Sequence, residues 1–185
     1  AQYYDAHGKL ISEIKAGKGY QSLFEKEALY QSVEFKNGKP EGIIQTFLPN
    51  GSIHSSFQIK DGKKNGEECI YYPERKQPKL SLNWRDDVLQ GIAKTWYENG
   101  ILESQREMHH NKKQGLCFGW FKDGSLMLME EYENDLLMKA SYFKRDDTNA
   151  VSKIEAGKGI ATLYDADGYY IHKITYEKGK PILED

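Results

Sequence analysis

A chain of 185 residues with 38% apolar residues, 12% aromatics and a formal charge of −2 has too little aliphatic material for a thick core, yet enough rings for a thin pleated sheet. The near-neutral balance and a pI near 6.3 lack the basic face of a nucleic-acid binder, and no run approaches the roughly 20 apolar residues of a membrane-spanning helix. Two cysteines, Cys69 and Cys117, are too few for a disulfide scaffold.

The chain opens on a partial unit, 1–18, and from Gly19 a regular spacing sets in. Glycine recurs at Gly42, Gly66, Gly91 and Gly115, with gaps of 23, 24, 25 and 24 residues. The next step in register falls on Lys139, and a last unit opens at Gly159. Five positions after each of these glycines stands an aromatic: Phe24, Phe47, Tyr71, Trp96, Trp120 and Tyr164. Self-similarity at such a period marks a repeat array. The units run 19–41, 42–65, 66–90, 91–114, 115–138, a contracted 139–158 and 159–185, a single array over 1–185.

Each unit reads as two short strands. At 91–114 the first runs from Gly91 to Tyr97 and the second from Ile101 to Met108; Ser52 to Ile59 is a second strand of the same kind. Between the strands stand Asn50-Gly51, Asn99-Gly100, Asp123-Gly124 and Asp167-Gly168, hairpin signals in which both residues tolerate positive φ. A second turn closes each unit, as in Asn37-Gly38-Lys39-Pro40-Glu41-Gly42 and Asp61-Gly62-Lys63-Lys64-Asn65-Gly66. Turns every 10 to 12 residues leave no room for a three-turn helix. In the fifth unit Leu116, Phe118 and Trp120 share one face while Cys117, Gly119 and Phe121 share the other. Apolar residues on both faces predict that part of the array is covered twice or curls over itself. The predicted fold is all-β, an elongated antiparallel β-hairpin repeat sheet of about seven two-strand units of 23–25 residues. Near the ends, Ile14 to Gly19 is matched by Ile154 to Gly159, with shorter turns that suit capping units.

The pattern Gly-x4-aromatic-aromatic-x-Asn-Gly-x-Leu at Gly91 to Leu102, with its closing Asn-Gly-Lys-x-x-Gly turn, resembles the variant MORN repeat of bacterial YwqK-type antitoxin components. The resemblance covers roughly Gly8 to Pro181 and implies a twisted sheet of hairpins in series. The sequence departs from that pattern at Lys139, at Tyr72 to Pro78 and at Glu25-Lys26-Glu27-Ala28, where turns lack the usual glycine.

No catalytic, cofactor-binding or metal-ligating set is expected. Gly17-Lys18-Gly19 and Gly157-Lys158-Gly159 lack phosphate-loop spacing and read as turns. His109 and His110 are neighbours on a strand, whose alternation would send the imidazoles to opposite faces and away from one metal. His54 and His172 are similarly placed near the start of second strands, which repeat periodicity explains. Cys69 and Cys117 lie two repeats apart and read as free thiols packed like small apolar residues. Asp86-Asp87, Glu130-Glu131 and Asp146-Asp147 read as surface charge in or beside turns. The aromatic column reads as core, interleaved with Ile53, Leu82, Leu102 and Leu126, ahead of the alternative of a stacking platform for sugars or bases.

The expectation is a non-enzymatic protein-binding repeat module; the resemblance adds an antitoxin or immunity role against a bacterial toxin encoded nearby. The alternative is a structural or assembly repeat, exported and without an inhibitory role. No cofactor, no nucleic acid and no membrane span is expected among the partners. The pattern marks scaffold positions, so it names no partner-binding residue. An antitoxin would be cytoplasmic; a leader before Ala1 would make the protein exported.

Overall fold

A computed structural model describes residues 1–73 and 75–182. Glu74 and residues 183–185 lie outside it, and with them part of the Tyr72 to Pro78 turn and the close of the last unit. The described residues form nineteen β-strands and no helix. They divide into two compact units, Ala1–Val88 and Leu89–Asp185.

The first unit contains β1 (Gln2–Tyr4), β2 (Leu10–Lys15), β3 (Lys18–Glu25), β4 (Ala28–Lys36), β5 (Lys39–Phe47), β6 (Ile53–Lys60), β7 (Lys63–Lys64), β8 (Gly66–Tyr71) and β9 (Pro78–Arg85). Each pairs antiparallel with its successor, except that β6 takes both β7 and β8. The short β10 (Val88–Leu89) runs across the boundary. The second unit holds β11 (Gly91–Trp96), β12 (Leu102–His109), β13 (Lys112–Trp120), β14 (Leu126–Glu133), β15 (Leu136–Phe143), β16 (Ala150–Glu155), β17 (Lys158–Tyr164), β18 (Tyr170–Glu177) and β19 (Lys180–Pro181), again paired in series. The predicted strands thus appear within a residue or so of their expected ends.

Two kinds of turn alternate. Among the turns that close each repeat, Ala16-Gly17, Asn37-Gly38, Asp61-Gly62 and Ala156-Gly157 have positive φ at both positions, the two-residue turn that matches strand twist. Asp86-Asp87, His110-Asn111 and Asn134-Asp135 adopt the same conformation without any glycine, as does Lys26-Glu27 among the turns inside the repeats. Asp87, Asn111 and Asp135 have a specific reason to tolerate it. The backbone N–H of Asp135 donates to the Lys113 carbonyl (3.0 Å), and its carboxylate accepts the Lys113 N–H (2.8 Å). Asp87 with Lys64 and Asn111 with Leu89 repeat this reciprocal clamp.

In the turns inside each repeat the expectation for Asn-Gly and Asp-Gly is corrected. Gly51, Gly100, Gly124 and Gly168 have φ of 83–91°, but their Asn or Asp neighbours do not take positive φ. Tyr97 N–H donates to the Ile101 carbonyl and Gly100 N–H to the Tyr97 carbonyl, both at 2.9 Å, giving a three-residue loop closed by a glycine bulge. The acidic or amide side chain caps it instead, as where Asp123 accepts the Ser125 N–H at 2.9 Å.

The period-setting glycines have a steric cause. Between the pairs Arg106↔Cys117 and Met108↔Lys113, Glu107 alone faces Gln114, Gly115 and Leu116. Gly115 has φ 88°, and a side chain there would run into the Glu107 carboxylate. Gly42 repeats this against Glu34, whose carboxylate accepts the Ile43 N–H at 2.8 Å; that bond and Lys36 hold the Glu34 carboxyl below its usual range.

The aromatic column is not the core. Its six rings are only half-buried. The buried positions Ile44, Ala93, Cys117 and Ala161 lie two residues after each glycine, so strand alternation places them on the opposite face. Ile53, Leu102 and Leu126 do stand opposite Phe47, Trp96 and Trp120, but Leu82 faces Glu68 and Pro78 faces Tyr71. In the second unit Cys117, Tyr132, Leu137, Ala140, Tyr142, Ile154 and Ala161 make one core cluster. Contacts that skip a hairpin close it. Lys122 N–H donates to the Ala166 carbonyl (3.0 Å), and Leu137 N–H to the Gly179 carbonyl (3.0 Å).

Candidate functional site

Inside the second unit lies a groove of about 360 Å³. Thr95, Ser104, Cys117, Gly119, Tyr164 and Ala166 are among the residues that line it. Thr95 and Ser104 share a hydroxyl hydrogen bond of 2.7 Å. Gly119 is small because Leu128 packs where its Cβ would be. Arg106, Lys113, Glu103 and Glu130 supply charges of both signs.

Among the lining residues Glu130 binds two tyrosine hydroxyls. Its carboxylate accepts the Tyr142 hydroxyl at 2.8 Å and the Tyr132 hydroxyl at 3.1 Å, while Lys113 Nζ sits 4.4 Å from the Tyr132 ring centroid. Burial, reinforced by Glu130, pushes both phenols well above the usual tyrosine range, and Tyr176 rises for the same reasons. Burial also lifts the Cys117 thiol, with Glu130 adding to the effect. Tyr97 is pushed up to about 12 by burial and nearby carboxylates, and its hydroxyl donates to the Trp120 carbonyl at 2.8 Å. At neutral pH these are neutral hydrogen-bonding groups that fix shape. The first unit holds a related cluster: the Trp84 indole donates to Glu68 (2.7 Å), and Lys64 pairs with Glu68 (2.8 Å) over the Trp84 ring.

A second feature recurs at every hairpin. Pairing slips by one residue just beside the aromatic, leaving Ile11, Tyr30, His54, Lys79, Glu103, Met127, Val151 and Ile171 as bulge residues. All but Met127 are exposed, so the bulge turns this side chain to solvent. The half-buried rings lie close by. Phe118 and Trp120 stack on each other, with centroids 5.8 Å apart and planes 25° apart. Each ring therefore spends a face on its neighbour, which argues against a flat platform for sugars or bases.

The hairpin from Leu89 through β11 and β12 carries all these devices: the clamped turn at Asn111, the glycine-closed loop and the bulge at Glu103. Residues 89–110 match the MORN repeat variant. No protein of curated function matches the chain. Outside the matched residues the bulge recurs in seven further hairpins, on different side chains.

Among the described residues, those singled out in the sequence are dispersed. Gly17 and Gly157 sit in two-residue turns. His109 ends β12, but His110 belongs to the turn, with φ 50°; the change of backbone direction brings the two Nδ1 atoms to 3.1 Å instead of sending them to opposite faces. Two nitrogens fall short of the four ligands of a structural zinc site, and among the described residues no group of three His, Cys, Asp or Glu could hold a metal ion. His54 is a bulge residue whereas His172 pairs with Leu163, so the two are not equivalent. Cys69 and Cys117 are free thiols. Cys117 is buried, but Cys69 lies among Glu67, Tyr71 and Ser81 and not in an apolar pocket. Asp86-Asp87 form a turn, whereas Glu130 lies mid-strand in β14 and binds two tyrosines; no spacing in the sequence marks it. No helix among the described residues is long and apolar enough to cross a membrane.

Proposed function

We propose that the protein is a non-enzymatic protein-binding repeat module, one array over 1–185, and that it acts as an antitoxin or immunity protein. The supporting observation is the bulge column. Each of these eight hairpins spends one residue outside the strand pairing, seven of the eight face solvent, and their chemistry varies along the column: Ile, Tyr, His, Lys, Glu, Met, Val and Ile. A scaffold that holds its frame constant while varying an exposed side chain is suited to recognising a partner. Exposed apolar side chains add contact area in the second unit, including Ile171 and its neighbours Tyr169 (73% exposed) and Tyr170.

The experiment is capture of the product of a neighbouring gene by the full chain, with growth rescue on co-expression. Tyr30→Ala, Val151→Ala and Ile171→Ala, all at exposed positions, together should weaken capture while leaving the thermal midpoint unchanged. Full capture by the triple variant would remove the bulge column from the interface. Failure to capture or rescue would end the antitoxin reading.

A further inference from the structure

One edge of the first unit carries a charge pattern that folding does not require. The two-residue turns at Ala16-Gly17, Asn37-Gly38 and Asp61-Gly62 are each flanked by a directly opposed lysine pair: Lys15↔Lys18, Lys36↔Lys39 and Lys60↔Lys63. All six side chains are exposed. Lys36 meets Glu34 at 3.1 Å; the other five form no ion pair among the described residues. The first two turns are tied together by the Gly38 N–H on the Gly17 carbonyl, 2.9 Å. Consecutive two-strand steps of about 10 Å then set the three pairs in a row.

Like charges directly opposite on a sheet are destabilising. The second unit shows what the same position carries otherwise. Beside Ala156-Gly157 the opposed pair is Glu155↔Lys158, and beside Lys178-Gly179 it is Glu177↔Lys180. Identical geometry thus accepts attractive pairs, and the first unit has three repulsive ones.

We infer that this lysine edge is a docking surface for an acidic protein surface. The inference rests on the protein-binding reading and names its partner's charge. The chemistry favours protein over two other polyanions. A membrane-surface site would set apolar side chains beside the lysines, and these turns carry Ala, Asn, Asp and Gly. Phosphate recognition favours the planar guanidinium fork, and the row holds no arginine. Hydrated lysine heads spaced along an edge suit diffuse attraction and orientation of a carboxylate-rich face, sensitive to salt.

The test uses the full chain carrying Lys15→Glu, Lys39→Glu and Lys60→Glu, which leaves the Lys36 contact with Glu34 in place, against a control with Lys153→Glu, Lys158→Glu and Lys180→Glu, an equal change in net charge. The probe is poly-L-glutamate at low salt, with duplex DNA and phosphatidylserine vesicles in parallel. The edge variant should bind poly-L-glutamate about tenfold or more weakly, while its thermal midpoint holds or rises because three repulsive pairs become attractive. The control should keep most of the binding and melt lower. Equal loss in both variants, no binding by the parent, or preference for DNA or vesicles overturns the inference. A neighbouring-gene partner captured equally by parent and edge variant removes the edge and leaves the protein-binding reading standing. Edge-dependent poly-L-glutamate binding without any captured partner does the reverse.

Discussion

Replacing Glu130 with Ala tests the reasoning about the second unit most directly. The carboxylate accepts hydroxyls from Tyr142, which is 1% exposed, and from Tyr132, which is also buried. A buried donor left without an acceptor costs about 1–3 kcal/mol. Glu130 is itself half-buried, so water can replace part of what Tyr132 loses. The expected total is about 2–4 kcal/mol, read by urea unfolding. The decisive comparison is a cycle. In a Tyr132→Phe, Tyr142→Phe background no hydroxyl is stranded, and Glu130→Ala should cost less than about 1 kcal/mol. Equal costs in both backgrounds would refute the claim that the Glu130 carboxylate is what satisfies these two hydroxyls. A smaller loss confined to the parent background would instead measure how much water enters.

Three further outcomes follow from the geometry. Tyr97, Tyr132, Tyr142 and Tyr176 are protonated phenols with raised folded values, so their contribution is complete below the ordinary tyrosine range and is lost as pH climbs; for Tyr97 the window runs from about 10 to about 12. Alkaline unfolding followed by tyrosinate absorbance should therefore begin in the second unit, and Tyr142→Phe should soften it. Gly115→Ala, at φ 88° and against Glu107, should cost about 1–3 kcal/mol, and adding Glu107→Ala should recover only the steric share. Asp135→Ala should cost about 1–2 kcal/mol and Asp135→Gly less, because glycine keeps the φ of 69° and loses only the bond to Lys113; hydrogen exchange at the Lys113 amide reports the loss in both.

Strands and turns were legible because glycine, Asn-Gly and Asp-Gly act locally, within a few residues. The face that forms the core was not. Phe24, Trp96 and Trp120 attract attention by size, but Ala93 and Ala161 are buried, and nothing about an alanine announces this. Glu130 was missed because Tyr142 reaches it from the neighbouring strand, a contact set by register and invisible in spacing. The bulge residues were missed for the opposite reason: they share no residue type, so no column of similar letters forms. His110 was misplaced because its turn has no glycine to signal it.

The reciprocal clamps between turns have a consequence for how such a chain can grow. Asp87 to Lys64, Asn111 to Leu89 and Asp135 to Lys113 each reach back one hairpin and no further. An edge joined only link to link can gain or lose a whole link while every remaining joint stays as it was. Lys122 on Ala166 and Leu137 on Gly179 leap over a hairpin, and they act as a clasp: the second unit is closed to extension from within, and the first keeps an open-ended design.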